Sequence, residues 1–275
     1  MNNMGSYNPQ PEILPPAGGV SSTPKRARVR PRWAMAPATY LLIGINCLWF
    51  LYMVARGSSP FSPTGHQLMR FGADNAGYVL VGGQWFRIIT AMFVHVGILH
   101  LATNMWCLWN LGLLAEPLMG SFGVIAVYLL TGAAGNLLST LVNWYRFSGN
   151  GGFPVCAGAS GAVFGLAGAL IILLKSQRLP VPTLELHKLR RSVIYFAAIN
   201  LVIGFSISFT ASLTGIDIDN MAHLGGVSCG LIFAMPMVPR LGSPRSDFES
   251  RLRLAVGLVV GMLILFAFFI VKVAA

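Results

Sequence analysis

The sequence predicts an all-α polytopic membrane protein with seven membrane-spanning helices. Charged residues make up 10% of the chain and hydrophobic residues 55%, whereas an ordinary soluble domain is about 25% charged. The mean hydropathy is +0.68, and each of the separate apolar runs approaches the ~20 residues that a helix needs to cross a bilayer. The runs cover residues 38–55, 93–115, 121–143, 157–174, 192–212, 221–239 and 253–271.

The start of the chain is predicted to form a disordered, basic tail on the cytoplasmic side. Residues 1–36 are rich in proline and carry a cluster of Lys and Arg between positions 25 and 32, a composition typical of disordered segments beside a membrane. No apolar stretch of the signal-peptide type occurs near the start. The rest divides into 37–240, with the first six predicted spans, and 241–275, with a linker and the seventh span.

The basic residues predict the orientation of the chain in the membrane. Fourteen of the 19 Lys and Arg residues fall in segments 25–32, 175–191 and 240–253, which lie on one side of a seven-span chain. Because cytoplasmic loops carry the excess of basic residues, we expect the N-terminus inside and the C-terminus outside. Orientation also accounts for the net charge of +11, so no nucleic-acid partner is expected. The remaining basic residues are Arg56, Arg70, Arg87, Arg146 and Lys272.

The first external loop, residues 56–92, is expected to rest on the outer leaflet. It is long and rich in aromatic rings, which favour the headgroup region of a bilayer. Trp85 and Arg87 are candidate anchors for this loop, through a cation–π contact or through hydrogen bonds to the backbone. A plain interfacial anchor is the open alternative. The rings are those of Phe61, Phe71, Tyr78, Trp85 and Phe86.

Three predicted spans carry a polar side chain at one depth. At 1.5 Å per residue, Ser160 lies about 22 Å from the cytoplasmic edge of its span, His223 about 25 Å and His100 about 24 Å. The apolar core of a bilayer is about 30 Å thick, so all three side chains lie about 5–8 Å below the outer surface. Polar groups inside a span are costly and by default indicate a functional site.

Glycines accompany Ser160 and His223 and predict that their helices touch. Glycines spaced three or four apart let helix backbones approach closely in lipid, and a histidine must be close if it is to take the proton of a serine directly. We therefore interpret Ser160 as a nucleophile and His223 as its base. A helix-packing serine and a hydrogen-bonded buried histidine are the alternatives. The glycines are Gly161, Gly165 and Gly168 in one span and Gly225, Gly226 and Gly230 in the other.

The predicted partners of His223 are Ser160 and an aromatic ring rather than a carboxylate. Within the spans no Asp or Glu lies near the level of Ser160, and we expect Asp217 and Asp219 to lie in water, in the external turn before His223. The sequence therefore predicts a Ser–His dyad. Because burial disfavours the charged imidazolium, we expect a neutral His223 that can accept a proton. Phe164, one turn after Ser160, can stack on the imidazole, with simple packing as the alternative.

Further polar groups are predicted to meet an oxyanion beside the dyad. His100 and Asn104 are four residues apart, so they share a helix face, and both can donate hydrogen bonds. The backbone N–H of Ser160 lies in the first turn of its helix, where N–H groups lack intrahelical partners, and is a third candidate donor. His95 is expected to lie on the same helix, nearer the surface, and to hold a loop or a water.

Several short motifs follow one family pattern. Together they resemble those of the rhomboid intramembrane serine proteases, over roughly residues 70–235. The matching residues are Gly158, Ala159, Ser160 and Gly161, then Ala222, His223, Gly225, Gly226 and Gly230, then His95, His100 and Asn104, then Gly83, Gln84, Trp85, Phe86 and Arg87, and finally Glu116.

The resemblance carries expectations about fold and activity. It implies a rhomboid-like six-helix bundle with a water-filled cavity open to the outside, to which this chain adds one C-terminal transmembrane helix. It implies Ser160 as nucleophile and His223 as base. His100 and Asn104 are implied around the oxyanion, and the implied substrates are single-span transmembrane proteins. Phe164 departs from the pattern, because many relatives have Tyr there.

Other functions compete with a protease. A catalytically silent rhomboid-like protein that binds or traffics membrane clients would have lost the serine or the histidine, and this chain keeps both. A transporter or channel would place polar groups at several depths. A zinc metalloprotease is disfavoured because no HExxH motif occurs, and neither a metal nor a cofactor is expected. The expected location is the inner membrane of a bacterial cell, and the sequence predicts no oligomeric state.

Overall fold

The computed structural model describes residues 36–149, 152–175, 182–209, 219–240 and 244–274. The predicted tail, residues 1–36, falls outside them apart from Ala36, which precedes the first helix. The helices are α1 (Pro37–Ala55), α2 (Gly65–Arg70), α3 (Ala76–Leu80), α4 (Arg87–Thr90), α5 (Ile98–Phe147), α6 (Ser160–Leu173), α7 (Thr183–Phe209), α8 (Asn220–Ala234) and α9 (Arg245–Ala274), with 3₁₀ turns at Ala91–Phe93 and Met235–Arg240.

The all-α fold class predicted from composition is confirmed. Helix α5 has 50 residues, or about 75 Å, more than twice the ~30 Å of a bilayer core. It breaks at Gly120, where φ is 73°, so its two halves correspond to the second and third predicted spans. The described helices that are long and apolar enough to cross a membrane are Pro37–Ala55, Ile98–Phe147, Asn220–Val238 and Ser246–Ala274.

Two predicted helix starts differ from the observed ones for local reasons. The second span is predicted from residue 93, but α5 begins at Ile98, because Gly97 has a φ of 93° that no helix contains. The fifth span is predicted from residue 192, but α7 begins at Thr183, because a charged, exposed segment continues the helix beyond its apolar part. The end predicted for that fifth span lies outside the described residues.

The helix that begins at Ser160 occupies the centre of the bundle. Helix α6 has 14 residues, or about 21 Å, and packs against α5, α7 and α8. Most of its side chains, on every face, are buried. A helix that is apolar all round belongs in the interior of a protein, and α6 therefore forms the axis around which the other helices are arranged.

A buried carboxylate holds the N-terminal end of α1 against α5. Glu116 is 4% exposed and accepts hydrogen bonds from the backbone N–H groups of Ala38 at 2.8 Å and Thr39 at 2.9 Å. It also accepts from the hydroxyls of Thr39 at 2.7 Å and Ser121 at 2.6 Å. The carboxylate satisfies N–H groups that lack intrahelical partners and complements the positive end of the helix dipole.

Helix α9 contains the predicted seventh span, 253–271, and lies at the rim of the bundle. It packs on α5, α8 and the 3₁₀ turn Met235–Arg240. One stripe at helical spacing is buried, while most of the remaining apolar surface is exposed, as expected where a helix faces lipid. The buried residues of the stripe are Leu252, Ala255, Val259, Leu263 and Ile270.

The rings of the first loop divide into exposed and buried ones. Phe61, Tyr78 and Phe86 are 78%, 49% and 56% exposed, and Trp85 is half-buried against the main core. Phe71 is only 8% exposed, so it contributes to the packing beneath the loop rather than to its exposed aromatic surface. There it packs with Met53, Leu68, Ala73 and Val94 in a second apolar cluster.

Candidate active site

The loop before Ser160 is held in place by backbone hydrogen bonds. Asp74 and Cys156 exchange N–H···O bonds of 2.8 and 2.9 Å across an antiparallel bridge. The Gly158 N–H donates to the carbonyl of Ala91 at 2.9 Å, and its φ of 129° is one that residues with side chains rarely adopt. The loop therefore holds Ser160, the first residue of α6, in a fixed position.

Helices α6 and α8 approach until their backbones touch. A Cβ atom at Gly226 would overlap the carbonyl of Gly161, and a Cβ atom at Gly230 would overlap the carbonyl of Gly165. Only glycine fits at such a helix crossing. Gly225, grouped with these glycines from the sequence, faces α5 instead.

This crossing brings the two residues of the predicted dyad together. A Cβ atom at Gly161, which follows Ser160, would lie 3.2 Å from the carbonyl oxygen of Ala222, which precedes His223. Ser160 and His223 therefore lie on adjoining turns of two touching helices. Within the described residues no hydrogen bond joins the Ser160 hydroxyl to the imidazole, and such bonds often tighten only when substrate is bound.

The His223 ring lies flat against Phe164. The ring centroids are 4.3 Å apart and the planes differ by 17°, which is a stacked geometry. Both side chains are buried, at 7% and 4% exposure. In the described part of the chain, the Nδ1 atom of His223 is buried and has no hydrogen-bond partner, so Phe164 rather than a carboxylate orients this ring.

The carboxylate that precedes His223 in the sequence is engaged elsewhere. Asp219 is the N-cap of α8, where it accepts a hydrogen bond from the Ala222 N–H at 2.9 Å and another from the Ser139 hydroxyl at 2.5 Å. The expectation that Asp219 lies in water is therefore wrong, since these donors hold it half-buried; Asp217 lies outside the described residues. An Asp three residues before an N–H of the first turn is a capping signal, and it is readable in the sequence before α8.

His100 lies against the loop that precedes Ser160. Its Nδ1 accepts a hydrogen bond from the Val96 N–H at 3.3 Å, so in the neutral ring Nε2 carries the proton and is a donor. A Cβ atom at Gly158 would lie 2.6 Å from Cε1 and 3.0 Å from Nε2 of this ring. The Nε2–H donor of His100 is therefore beside the loop, two residues before Ser160.

Asn104 lies one turn after His100 and is 6% exposed. Its Nδ2 donates one hydrogen bond to the His100 carbonyl at 2.9 Å, which leaves the second N–H for another acceptor. Among the described residues, neither Asn104 nor His100 makes a hydrogen bond to Ser160. His100 therefore has a donor beside the loop that precedes Ser160, and Asn104 has a second amide N–H one turn further along α5.

His95 lies in the turn before α5 rather than on the helix. It is completely buried, its Nδ1 donates to the carbonyl of Phe93 at 3.2 Å, and its ring meets that of His100 edge-on with centroids 5.4 Å apart. The expectation of a helical position is wrong, because α5 begins only at Ile98, after Gly97 with its φ of 93°. His95 therefore packs behind His100.

The two candidate anchors of the first loop have different surroundings. Arg87 is 7% exposed and donates to the carbonyls of Met69 at 2.9 Å and Ala73 at 2.8 Å. Its guanidinium carbon also lies 5.1 Å from the centre of the Tyr78 ring. Trp85 packs against the main core. Arg87 therefore links two parts of the first loop to each other. These bonds hold in place the neighbouring Asp74, which pairs with Cys156 before Ser160.

The carboxyl group of Asp74, in the first loop, is buried beside the segment that precedes Ser160. Asp74 is 1% exposed and accepts a hydrogen bond from the Thr140 hydroxyl at 2.9 Å. Burial raises the pKa of Asp74 to about 7, because the charged form loses its hydration. Through Asp74 the loop before Ser160 is connected to the second half of α5.

A family model of the Rhomboid domain matches residues 82–240. Ser160, His223, Phe164, His100 and Asn104 all lie within that range, whereas Asp74 of the first loop precedes it. The chain belongs to the rhomboid family. Its helices make it a multi-pass integral membrane protein.

Individual rhomboid relatives match over most of this chain. It is 33% identical over 222 residues to the Rhomboid protease GluP of Bacillus subtilis, which covers 80% of this chain and 38% of that protein. It is 32% identical over 197 residues to the mitochondrial RHOMBOID-like protein 6 of Arabidopsis thaliana, covering 70% and 57%. It is 26% identical over 209 residues to the Rhomboid protease AarA of Providencia stuartii, covering 73% and 72%. The chain thus spans less than two thirds of the first two relatives.

Proposed function

We propose that this rhomboid-family protein is a serine endopeptidase that cuts peptide bonds within the membrane, with Ser160 as nucleophile and His223 as base. The observation that carries the proposal is the crossing of α6 and α8, which has Ser160 and His223 on adjoining turns and Phe164 stacked on the imidazole. The names of GluP and AarA, which are both rhomboid proteases, support the same class of reaction.

The proposed reaction is acyl transfer to the serine followed by hydrolysis. The Ser160 oxygen attacks the carbonyl carbon of the scissile peptide bond while the neutral His223 ring takes the hydroxyl proton. When the tetrahedral intermediate collapses, the C–N bond breaks and the imidazolium gives that proton to the leaving amine. Water then attacks the acyl-serine ester, with His223 again as base, and releases the second product.

Three donors are proposed to stabilise the negative oxygen of the intermediate. The Nε2–H of His100 and the second amide N–H of Asn104 are available because their other bonds are made locally. The backbone N–H of Ser160 is available because it opens α6, where no residue one turn earlier can accept from it. Donors that are fixed before reaction stabilise an oxyanion without reorganisation. Gly158 and Gly161 are proposed to support them by leaving the space that His100 and α8 fill.

The proposed substrates are single-span transmembrane proteins, cut in the outer part of the span. Helix α6 begins at Ser160 and ends at Leu173, so the serine is at one end of the helix, which is the outer end in the proposed orientation. A substrate helix must unwind to present an extended peptide bond, and each backbone group so exposed costs several kcal/mol in lipid. We therefore expect cleavage beside small or helix-breaking residues near the outer end of the substrate span.

The proposed orientation has the N-terminus inside the cell and the C-terminus outside. The basic residues of the loops support it. Residues 37–240 are proposed to form the protease core, and residues 241–275 a linker and an added helix. The proposed location is the inner membrane of a bacterial cell; GluP and AarA are bacterial proteins, whereas RHOMBOID-like protein 6 is a mitochondrial protein of a plant. A catalytically silent protein that binds membrane clients is the alternative, and its distinguishing property is binding without cleavage.

The test is cleavage of a single-span model substrate by the purified protein in detergent. Ser160→Ala and His223→Ala should each abolish cleavage, because each removes one half of the proton transfer. A fluorophosphonate probe should label the wild type and not Ser160→Ala. Mass spectrometry of the two products gives the bond that is cut.

Matched controls separate chemistry from folding. Ser62→Ala changes an exposed loop serine and His187→Ala changes an exposed histidine of α7, so both variants should cleave like the wild type. All four proteins should unfold at similar temperatures. Cleavage by Ser160→Ala would disprove the assigned nucleophile, and binding of substrate without cleavage by the wild type would establish the silent alternative.

A further inference from the structure

A cavity of about 310 Å³ opens between the C-terminal end of α1 and the first loop, away from the proposed dyad. Two arginines, Arg56 and Arg70, lie in its wall together with the rings of Trp49, Tyr52 and Phe86. Cationic side chains beside aromatic rings are typical of the level at which a membrane protein meets lipid headgroups. The cavity therefore has the composition of an anion site at the bilayer surface.

The two arginines of this cavity have no acidic partner in the described part of the chain. Both are exposed, and their guanidinium groups make no hydrogen bond or ion pair with described residues. Arg87 of the same loop is different, since it is buried and donates to backbone carbonyls. Arg56 and Arg70 are also among the few basic residues outside the predicted cytoplasmic segments, so the rule that governs basic loops does not account for them.

Trp49, whose ring lines the cavity, also has a polar atom without a partner. The indole N–H of Trp49 is buried and has no acceptor among the described residues. Trp49 precedes Arg56 by seven residues, which is about 10 Å along the axis of α1. Because this N–H is covered by the protein, the part of Trp49 that lines the cavity is its ring. The cavity thus offers charge at its rim and aromatic surface at depth.

An apolar surface continues from the cavity along α1. Tyr52, Leu48, Ile45 and Leu41 follow each other at spacings of three or four, so they share one face of the helix. All four are exposed, at 49%, 67%, 40% and 54%. A ligand with a charged head and long apolar tails would fit the cationic cavity with its head and the apolar face of α1 with its tails. An acidic peptide would match only the arginines.

We propose that this cavity binds an anionic phospholipid. Its phosphate would lie between Arg56 and Arg70, its glycerol backbone against the rings of Trp49 and Tyr52, and the acyl chains along the exposed face of α1. Arginine suits this role because its planar fork of N–H groups pairs with two phosphate oxygens. The proposal goes beyond the proteolytic function, since no residue of the proposed dyad or oxyanion site touches the cavity.

Native mass spectrometry of the full-length protein tests the proposal. Purified protein is titrated with phosphatidylglycerol or phosphatidylcholine, in the wild type and in Ser160→Ala, so that binding is measured independently of cleavage. Phosphatidylglycerol should bind more tightly than phosphatidylcholine. Arg56→Gln/Arg70→Gln should weaken phosphatidylglycerol binding by roughly 30-fold, because each basic residue contributes to the attraction of anionic lipid.

The matched control is Arg146→Gln, which removes one exposed arginine at the C-terminal end of α5, outside the cavity. It should bind phosphatidylglycerol like the wild type. Equal affinity for the two lipids, or an equal loss in Arg146→Gln, would overturn the proposal in favour of a general charge effect. Displacement of the lipid by inorganic phosphate at similar affinity would assign the cavity to a free anion, and preferential binding of an acidic peptide would assign it to a protein.

Discussion

Single side chains around Ser160 acquire their chemical state from short local contacts. The Val96 N–H donates to Nδ1 of His100, and this one bond determines that Nε2 is the donor. His223 has no such partner in the described residues, and the flat contact with Phe164 orients it instead. The His100 ring can therefore donate a hydrogen bond through Nε2, and the neutral His223 ring can accept a proton.

The amide of Asn104 gives the sharpest prediction about a single residue. Asn104→Ala should lower kcat by ~10²–10³ and change KM much less, because the lost hydrogen bond forms mainly in the transition state. Steady-state kinetics with the model substrate measure both constants. Asn110 on the same helix makes the same kind of bond to a carbonyl one turn earlier, that of Trp106 at 2.7 Å.

Asn110→Ala is therefore the matched control, and it should leave kcat and KM unchanged. If Asn104→Ala keeps the wild-type kcat, or if both asparagine variants lose activity equally, Asn104 has no place among the oxyanion donors.

Pairs of helices decide whether the site can form. The crossing of α6 and α8 depends on backbone contact at two levels, Gly161 with Gly226 and Gly165 with Gly230. Close approach replaces side-chain packing by contacts between backbone atoms, which in lipid are a principal source of helix association. A small change of spacing at this crossing therefore moves Ser160 relative to His223 without altering either residue.

Substitution at the crossing should show this dependence. Gly226→Ala should lower the thermal unfolding temperature and the cleavage rate together, because its Cβ would overlap the Gly161 carbonyl and overpacking typically costs about 1–3 kcal/mol. Gly257→Ala in α9 is the matched control, since a Cβ there meets no atom within 4 Å. The control should be neutral or slightly more stable, because Ala favours a helix by about 1 kcal/mol over Gly. Equal stability of the two variants would mean that the crossing tolerates wider spacing.

The elements also show which features can be predicted from sequence. The spans and the glycine stripes follow from composition and periodicity within single helices, so the helical fold and the contacting faces of α6 and α8 could be anticipated. His95 and Asp219 could not be placed, because their positions depend on turns between elements. The same holds for the bridge between Asp74 and Cys156, whose partners are far apart in the chain and carry no periodic pattern.

The molecule as a whole is organised around its most buried helix. Helix α6 connects the loop before Ser160 to the opposite end of the bundle, while α1 and α9 lie outside it. Glu116 fastens α1 at one end and the first loop fastens it at the other. A helix enclosed by protein need not match the full bilayer thickness, and 14 residues suffice for α6.

The direction in which this bundle crosses the membrane is the last prediction. Ser148 follows α5 and Glu185 lies near the start of α7, and both are exposed. Because α6 lies between them in the chain, they should be on opposite sides of the membrane, and the basic loops place Glu185 inside. With the native cysteines replaced, Ser148→Cys should react with an impermeant thiol reagent in intact cells, and Glu185→Cys should react only after permeabilisation. Reaction of Glu185→Cys alone would invert the molecule and move the proposed cleavage to the cytoplasmic end of the substrate. Reaction of both in intact cells would mean that α6 does not carry the chain across, and the depth assigned to Ser160 would fail with it.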